Sequence, residues 1–257
     1  MEITLAAEKI FSFGPIPITN SFISTWIVTL ALISFALVST HKVALIPQGI
    51  QNFAEFVVET FQNFVTPIAQ KKSKIFFPIV ASFFFFILVG NYFGLLPGVG
   101  SVGFFLPADA SHQAMQAGEI ENGQKVFIPL LRSINSDLNT TVALALVSAV
   151  ATHYFAIKYL GLGGYLGKFF SLNPIFLFVG LLEIVSEITK VFSLSFRLFG
   201  NVFAGEVLLQ TASTKLFAFI IPIPFYFLEI LVGFVQALIF AVLTLGFMVI
   251  LTQKESH

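Results

Sequence analysis

The chain has 257 residues, of which 57% are hydrophobic, 16% aromatic and only 10% charged, with 34 Phe and a formal net charge of zero. Soluble chains carry about 25% charged residues, so this chain has too little polar material to cover a water-facing surface, and a soluble globular domain is excluded. Its 13 basic residues, matched by 13 acidic ones and spread along the chain, cannot form a phosphate-binding stripe, which excludes nucleic acid as a partner.

Cysteine is absent, so disulfides, iron–sulfur clusters, thiolate zinc sites and cysteine nucleophiles are removed together. The four histidines, His41, His112, His153 and His257, are too scattered to supply paired haem ligands. No cofactor and no metal site is expected. His153, alone in its span, reads as a helix-packing residue, with contact to a proton path as the alternative.

The opening stretch MEITLAAEKIFSFGPIPITN lacks the basic start and apolar core of a cleaved secretory signal and reads as a short tail outside the bilayer. A spanning helix needs about 20 apolar residues. Residues 22–40, closed by His41 and Lys42, form the first such run. Over residues 47–70, Ile50, Phe53, Phe56, Val57, Thr60, Phe61 and Phe64 recur at helical spacing against Gln51, Glu55, Glu59 and Gln62. That pattern predicts an amphipathic helix on the membrane surface, or a partner-facing one. Residues 75–96 and 138–160 predict two further spans, with Pro97 to Asp137 as one long polar loop between them.

Asn173 before Pro174 is a helix start with a side-chain cap, and Pro222 and Pro224 force a break. Residues 174–212 and 225–252 are therefore read as two separate helices. The 39 residues of the first make about 58 Å of helix against a hydrocarbon core of about 30 Å, so unless Gly200 breaks it the helix is strongly tilted. The expected fold class is an all-α integral membrane protein of five to six helices, with residues 1–257 as a single membrane domain.

With the N-terminus outside, Lys42, Lys71, Lys72, Lys74, Lys158, Lys168 and Lys254 share one side, and Lys9, Lys125, Arg132 and Lys215 share the other. The excess marks the first side as cytoplasmic. No internal repeat is visible, parallel or inverted, which counts against the common secondary-transporter architectures.

The last two helices hold Glu183, Glu187, Lys190, Arg197, Glu206 and Glu229, each costing roughly 2.5–3.5 kcal/mol at mid-membrane. At about 100° per residue, Glu183, Glu187, Lys190, Ser193, Leu194, Arg197 and Asn201 fall within about a quarter of the circumference, whereas Glu206 projects about 140° from Glu183. Glu229 and Gln236 share a face of the final helix. Glu187 and Lys190, at i and i+3, form either a structural ion pair or part of a path. Arg197 has no acidic residue at i±3 or i±4, so its partner comes from another helix or chain. Arginine stays protonated in apolar surroundings, while carboxyl groups so placed can load and release protons near neutral pH. A fixed cation flanked by titratable carboxylates describes a proton path with a barrier against leakage.

The run Ser193-Leu194-Ser195-Phe196-Arg197-Leu198-Phe199-Gly200-Asn201, then Ala204-Gly205-Glu206, and Val235 to Leu243 (VQALIFAVL) in the last helix resemble the a subunit of F-type ATP synthases. Asn91 to Pro97 (NYFGLLP) and Asp137 to Thr141 (DLNTT) add weaker matches, and the likeness runs from Pro47 onward. The resemblance implies a membrane stator component, not catalytic on its own, that carries protons to a rotating c-subunit ring beside a b-subunit peripheral stalk. It implies that Arg197 faces the ring carboxylate and separates two half-channels, with Gln236 and Asn201 beside it. Glu206 and Glu229 match the outer access path, Glu183 and Lys190 the face toward the cytoplasmic outlet, and Asp137 an acidic residue at the inlet mouth. Glu187 lies outside these motifs, and Glu187→Gln is expected to leave most transport intact. A bacterial plasma membrane is the implied location, with the N-terminus outside and the C-terminus cytoplasmic. A secondary transporter or ion channel is the rival reading, and a purely structural anchor would leave Arg197 unexplained.

Overall fold

The computed structural model describes residues 9–13, 16–107, 125–169, 174–215 and 222–253. Asn173, Lys254, His112 and His257, all invoked above, lie outside them. In chain order the elements are β1 (Lys9–Phe13), β2 (Ile16–Thr19), α1 (Asn20–Thr40), α2 (Ile50–Ala69), α3 (Ser73–Gly94), β3 (Gly103–Pro107), β4 (Lys125–Pro129), α4 (Leu138–Phe169), α5 (Pro174–Lys215) and α6 (Pro222–Leu251). Short 3-10 turns at Gln70–Lys72 and Ile134–Ser136 precede α3 and α4.

Among the described residues, four helical stretches are long and apolar enough to cross a membrane: Asn20–Thr40, Ile50–Gly94, Leu138–Phe169 and Pro222–Leu251. The chain is an all-α multi-pass membrane protein. Helix α5 carries Glu183, Glu187, Lys190, Arg197 and Glu206, and it runs unbroken through Gly200. Its 42 residues correspond to about 63 Å of helix.

Contacts divide the chain into two compact units. The first comprises Met1–Ala36, Phe86–Thr140 and Leu198–Gln236, and the second Leu37–Phe85, Thr141–Arg197 and Ala237–His257.

In the first unit, the expected N-terminal tail contains the antiparallel pair β1–β2, and the expected polar loop contains a second pair, β3–β4, in which Phe104 faces Ile128 across the ladder. These strands are only 4 to 5 residues long, too short for alternation to declare itself within a Phe-rich background. The last part of that loop also differs from the expectation of a solvated connection, since Arg132 to Asp137 are all buried. Most of the polar groups there find partners within the protein, while Ser133 Oγ and Asn135 Oδ1 are buried without one. The Arg132 backbone N–H donates to Ser24 Oγ at 3.2 Å, and Asn135 Nδ2 donates to Asn91 Oδ1 at 2.7 Å. Asn91 Nδ2 in turn donates to the Gly233 carbonyl at 3.0 Å, which ties α3 to α6 and gives the NYFGLLP stretch a packing role.

In the second unit, aromatic side chains do much of the helix packing. Phe61 of α2 stacks on Phe84 of α3 with ring centroids 4.4 Å apart, Phe76 meets Phe155 of α4 at 5.2 Å, and Phe83 meets Phe240 of α6 at 5.4 Å. On α2 the buried residues are Phe61, Val65 and Ala69, the i, i+4, i+8 stripe of the C-terminal half, whereas Ile50, Phe53 and Phe56 remain exposed. The amphipathic helix is therefore packed against α3 at one end only.

Helix α4 continues past the expected end at Leu160 through a kink at Gly161, whose φ of 72° and ψ of 164° suit a residue without a side chain. The kink folds Tyr165 back toward His153 and lets Phe169 pack with Ala156 and Leu251. At the same end, Lys72 Nζ donates to the Thr252 carbonyl at 2.9 Å and Lys168 Nζ to the Leu251 carbonyl at 3.4 Å. Two cations thus meet the electronegative C-terminus of α6.

Candidate functional site

Ionisable groups that would be costly in hydrocarbon collect in two sets, each inside one unit. In the first unit the set is built from the buried loop before α4 and from the facing parts of α5 and α6. Arg132, with 6% of its side chain exposed, places Nε 3.6 Å from Glu206 Oε1 and donates from Nε to Ser136 Oγ at 3.1 Å. Glu206 Oε2 is buried and has no hydrogen-bond partner. Beside it in sequence, Gly205 presents bare backbone to the carboxyl group of Glu229, occupying the space where a Cβ would fall. Glu229 is buried. The structure thus brings Glu206 and Glu229 to adjacent residues of α5, with Arg132 as the cation for the first.

Asp137 sits at the start of α4 and caps it. Its Oδ1 accepts the Asn139 backbone N–H at 3.0 Å and its Oδ2 accepts Ser21 Oγ–H at 2.6 Å. This is ordinary N-cap chemistry, an acidic oxygen taking up an amide that the helix cannot satisfy. Gln236 and Asn201 are half-buried on α6 and α5.

In the second unit, Arg197 and Ser193 lie on an exposed face of α5, and Arg197 Nη2 donates to Ser193 Oγ at 3.3 Å. The exposed neighbours on the same helix include the polar Ser186 and Thr189 together with Phe192 and Phe196, while Leu194 turns inward and is buried. Lys190 Nζ donates to Glu187 Oε1 at 2.6 Å, the i, i+3 pair that spacing allows. Glu183 is half-buried one turn earlier. Among the described residues no group of three or more His, Asp or Glu could hold a metal ion.

Sequence reading counted Arg132 only toward the orientation of the chain. The signal that could have found it is its position six residues after Val126 in an apolar run, followed by Ser133, Asn135, Ser136 and Asp137 within five residues. Arg132→Leu would leave Glu206 without its cation, and removing one member of a mostly buried pair costs more than the pair gains. It is expected to destabilise the folded chain by about 1–3 kcal/mol, with Arg132→Lys intermediate; thermal unfolding of the detergent-solubilised protein checks this.

A multi-pass α-helical membrane protein with carboxylates and fixed cations set into its C-terminal helices is the class that fold and site define. The profile of the family described as "ATP synthase A chain" matches residues 22–249. The chain is 33% identical over 239 residues to "ATP synthase subunit a" of Moorella thermoacetica, covering 93% of each chain. It is 32% identical over 241 residues to "ATP synthase subunit a" of Syntrophobacter fumaroxidans, covering 93% of this chain and 86% of that one. To "ATP synthase subunit a 2" of a Bradyrhizobium species it is 32% identical over 243 residues, covering 95% and 93%. The chain belongs to the ATP synthase A chain family.

Proposed function

We propose that this chain is the ion-path subunit in the membrane sector of an F-type ATP synthase, providing two half-channels to a rotating c-subunit ring, with Arg197 between them. It breaks no covalent bond itself. The observation that carries the reading is Arg197: a permanently charged guanidinium exposed on α5 beside Ser193, on the polar stripe of a helix whose flanks expose Phe192 and Phe196. Such a cation suits a carboxylate of another chain that slides past it, because the attraction is strong in a dry medium while the arginine itself does not give up its proton.

A proton from outside reaches the ring carboxylate by way of Glu206 and Glu229, with Asp137 near the inlet and Arg132 holding Glu206. The neutralised carboxyl group rides through lipid and releases its proton toward Glu183 and Lys190. Arg197, with Gln236 and Asn201 beside it, then attracts the bare carboxylate and prevents a direct proton jump. Each proton crossing 100 mV releases about 2.3 kcal/mol, so several are needed for one ATP. The helices form a single membrane domain in a bacterial plasma membrane, N-terminus outside and C-terminus cytoplasmic, alongside the b-subunit peripheral stalk. The lysines gathered at the C-terminal end of α6 support that orientation.

The test is ATP-driven proton pumping, read by quenching of a pH-sensitive dye in vesicles carrying the whole complex with Arg197→Ala. Loss of pumping with the complex assembled supports the reading. Unchanged pumping overturns it in favour of a structural anchor.

A further inference from the structure

Glu187 belongs to none of the recognised motifs, yet its carboxylate is the centre of a polar cluster inside the second unit. Only 13% of its side chain is exposed. Oε1 accepts from Lys190 Nζ, and Oε2 lies 4.0 Å from His153 Nε2 on α4. The other ring nitrogen of His153, Nδ1, is 3.1 Å from the Tyr165 hydroxyl, which the Gly161 kink returns to this place. A cavity of about 10 Å³ opens beside the carboxylate, with Ser148, Thr152, Glu187 and Lys190 as its polar lining. That volume is about one water probe, and the lining offers enough polar partners to hold a water molecule.

A structural ion pair accounts for Glu187 and Lys190 alone. It requires neither an imidazole on the second carboxylate oxygen nor a wet cavity. Lys190 Nζ also lies 4.8 Å from the centre of the Phe247 ring, which fixes the ammonium and through it the carboxylate. The titratable and charged groups facing the cluster are His153 and Tyr165 from α4 and Lys190 from α5, with Glu183 one turn before Glu187; α6 brings Phe247, and Thr244 bonded to Ser148, but no charged group. Arg197 follows Lys190 by seven residues, about 10 Å along the same helix.

We propose that His153 and Glu187 form a proton relay on the cytoplasmic outlet, exchanging protons between water and the stretch of α5 that leads to Arg197. This rests on the proposed function above. With Nδ1–H donating to the Tyr165 oxygen, Nε2 is the nitrogen that carries the relay proton. A proton from water binds neutral His153 at Nε2, where the side chain is 30% exposed. The imidazolium, once its ring closes the 4.0 Å gap to hydrogen-bond distance, passes it to Glu187 Oε2 and becomes neutral again. Glu187, now a neutral acid, hands it to a water in the cavity and returns to the carboxylate paired with Lys190. Every step moves one proton and no bond between heavy atoms changes, and the sequence runs backward when protons leave.

The experiment measures ATP-driven pumping by vesicles of the whole complex against the pH of the cytoplasmic side, for His153→Gln and Glu187→Gln, with Arg197→Ala in parallel. Free protons fall tenfold per pH unit, so a lost collecting relay matters most in alkali: both variants are expected to pump less than about twofold slower at about pH 6.5 and about fivefold slower at about pH 8.5. Profiles parallel to wild type would overturn the relay. If Glu187→Gln does not assemble, His153→Gln, altered at the water-facing end, decides by the same profile. Normal pumping by Arg197→Ala would refute the proposed function itself; its loss with unshifted His153 and Glu187 profiles would refute only the relay.

Discussion

Arg197→Lys is expected to abolish ATP-driven proton pumping, by at least about a hundredfold or about 2.7 kcal/mol, while the complex remains assembled. The substitution keeps a positive side chain, so a reading based on charge alone predicts little effect. The surroundings decide otherwise. Phe192 and Phe196 are exposed on the flanks of the same helix, and a helix surface so apolar suits contact with lipid or another chain rather than water. A lysine in such a place can lose its proton and become a neutral amine, whereas a guanidinium cannot. A neutral side chain neither attracts a carboxylate nor blocks a proton. Lysine also lacks the planar fork that can donate to Ser193 Oγ and to a carboxylate together. The check is dye quenching alongside ATP hydrolysis by the same vesicles, and normal pumping would contradict the role assigned to Arg197.

Gly205→Ala is expected to reduce pumping at least tenfold, because the new methyl group would occupy the position of the Glu229 carboxyl group. Helix propensity argues the opposite way, since Ala in place of Gly stabilises a helix interior by about 1 kcal/mol. A loss of transport without loss of assembly would therefore report the displaced carboxylate and not a weakened helix. The shorter acid in Gly205→Ala/Glu229→Asp withdraws the carboxyl group by one methylene and is expected to recover part of the rate. Wild-type pumping by Gly205→Ala alone would show that the contact with Gly205 does not matter to the path.

How far the site was legible depended on the distance in sequence over which its parts communicate. The i, i+3 pairing of Glu187 and Lys190 is a local helical relation, and it appears at 2.6 Å. Glu206 and Glu229 were visible as charges in apolar helices, but not the glycine that accommodates one nor the arginine that neutralises the other. Arg132 meets Glu206 across 74 positions of the chain, and periodicity carries no information at that range. Asp137 was singled out through its resemblance to an acidic residue at the inlet mouth; that its oxygens cap α4 and take up Ser21 was not legible in the sequence. The strand pairs β1–β2 and β3–β4 were missed because their strands are only 4 to 5 residues long and lie in segments read as a tail and a polar loop.

Taken by itself, the amino-acid sequence determined that this protein lives in a membrane, because 10% charged residues cannot clothe a soluble surface. It also determined which helix carries the charges, because helical spacing is a property of the local backbone. Tertiary structure alone decided which charges neutralise one another, which loop is buried, and that Glu187 has a histidine on its far oxygen. Those are relations between residues brought together only when helices pack, and a buried ion or hydrogen-bonding group acquires its chemistry from the partners that packing supplies.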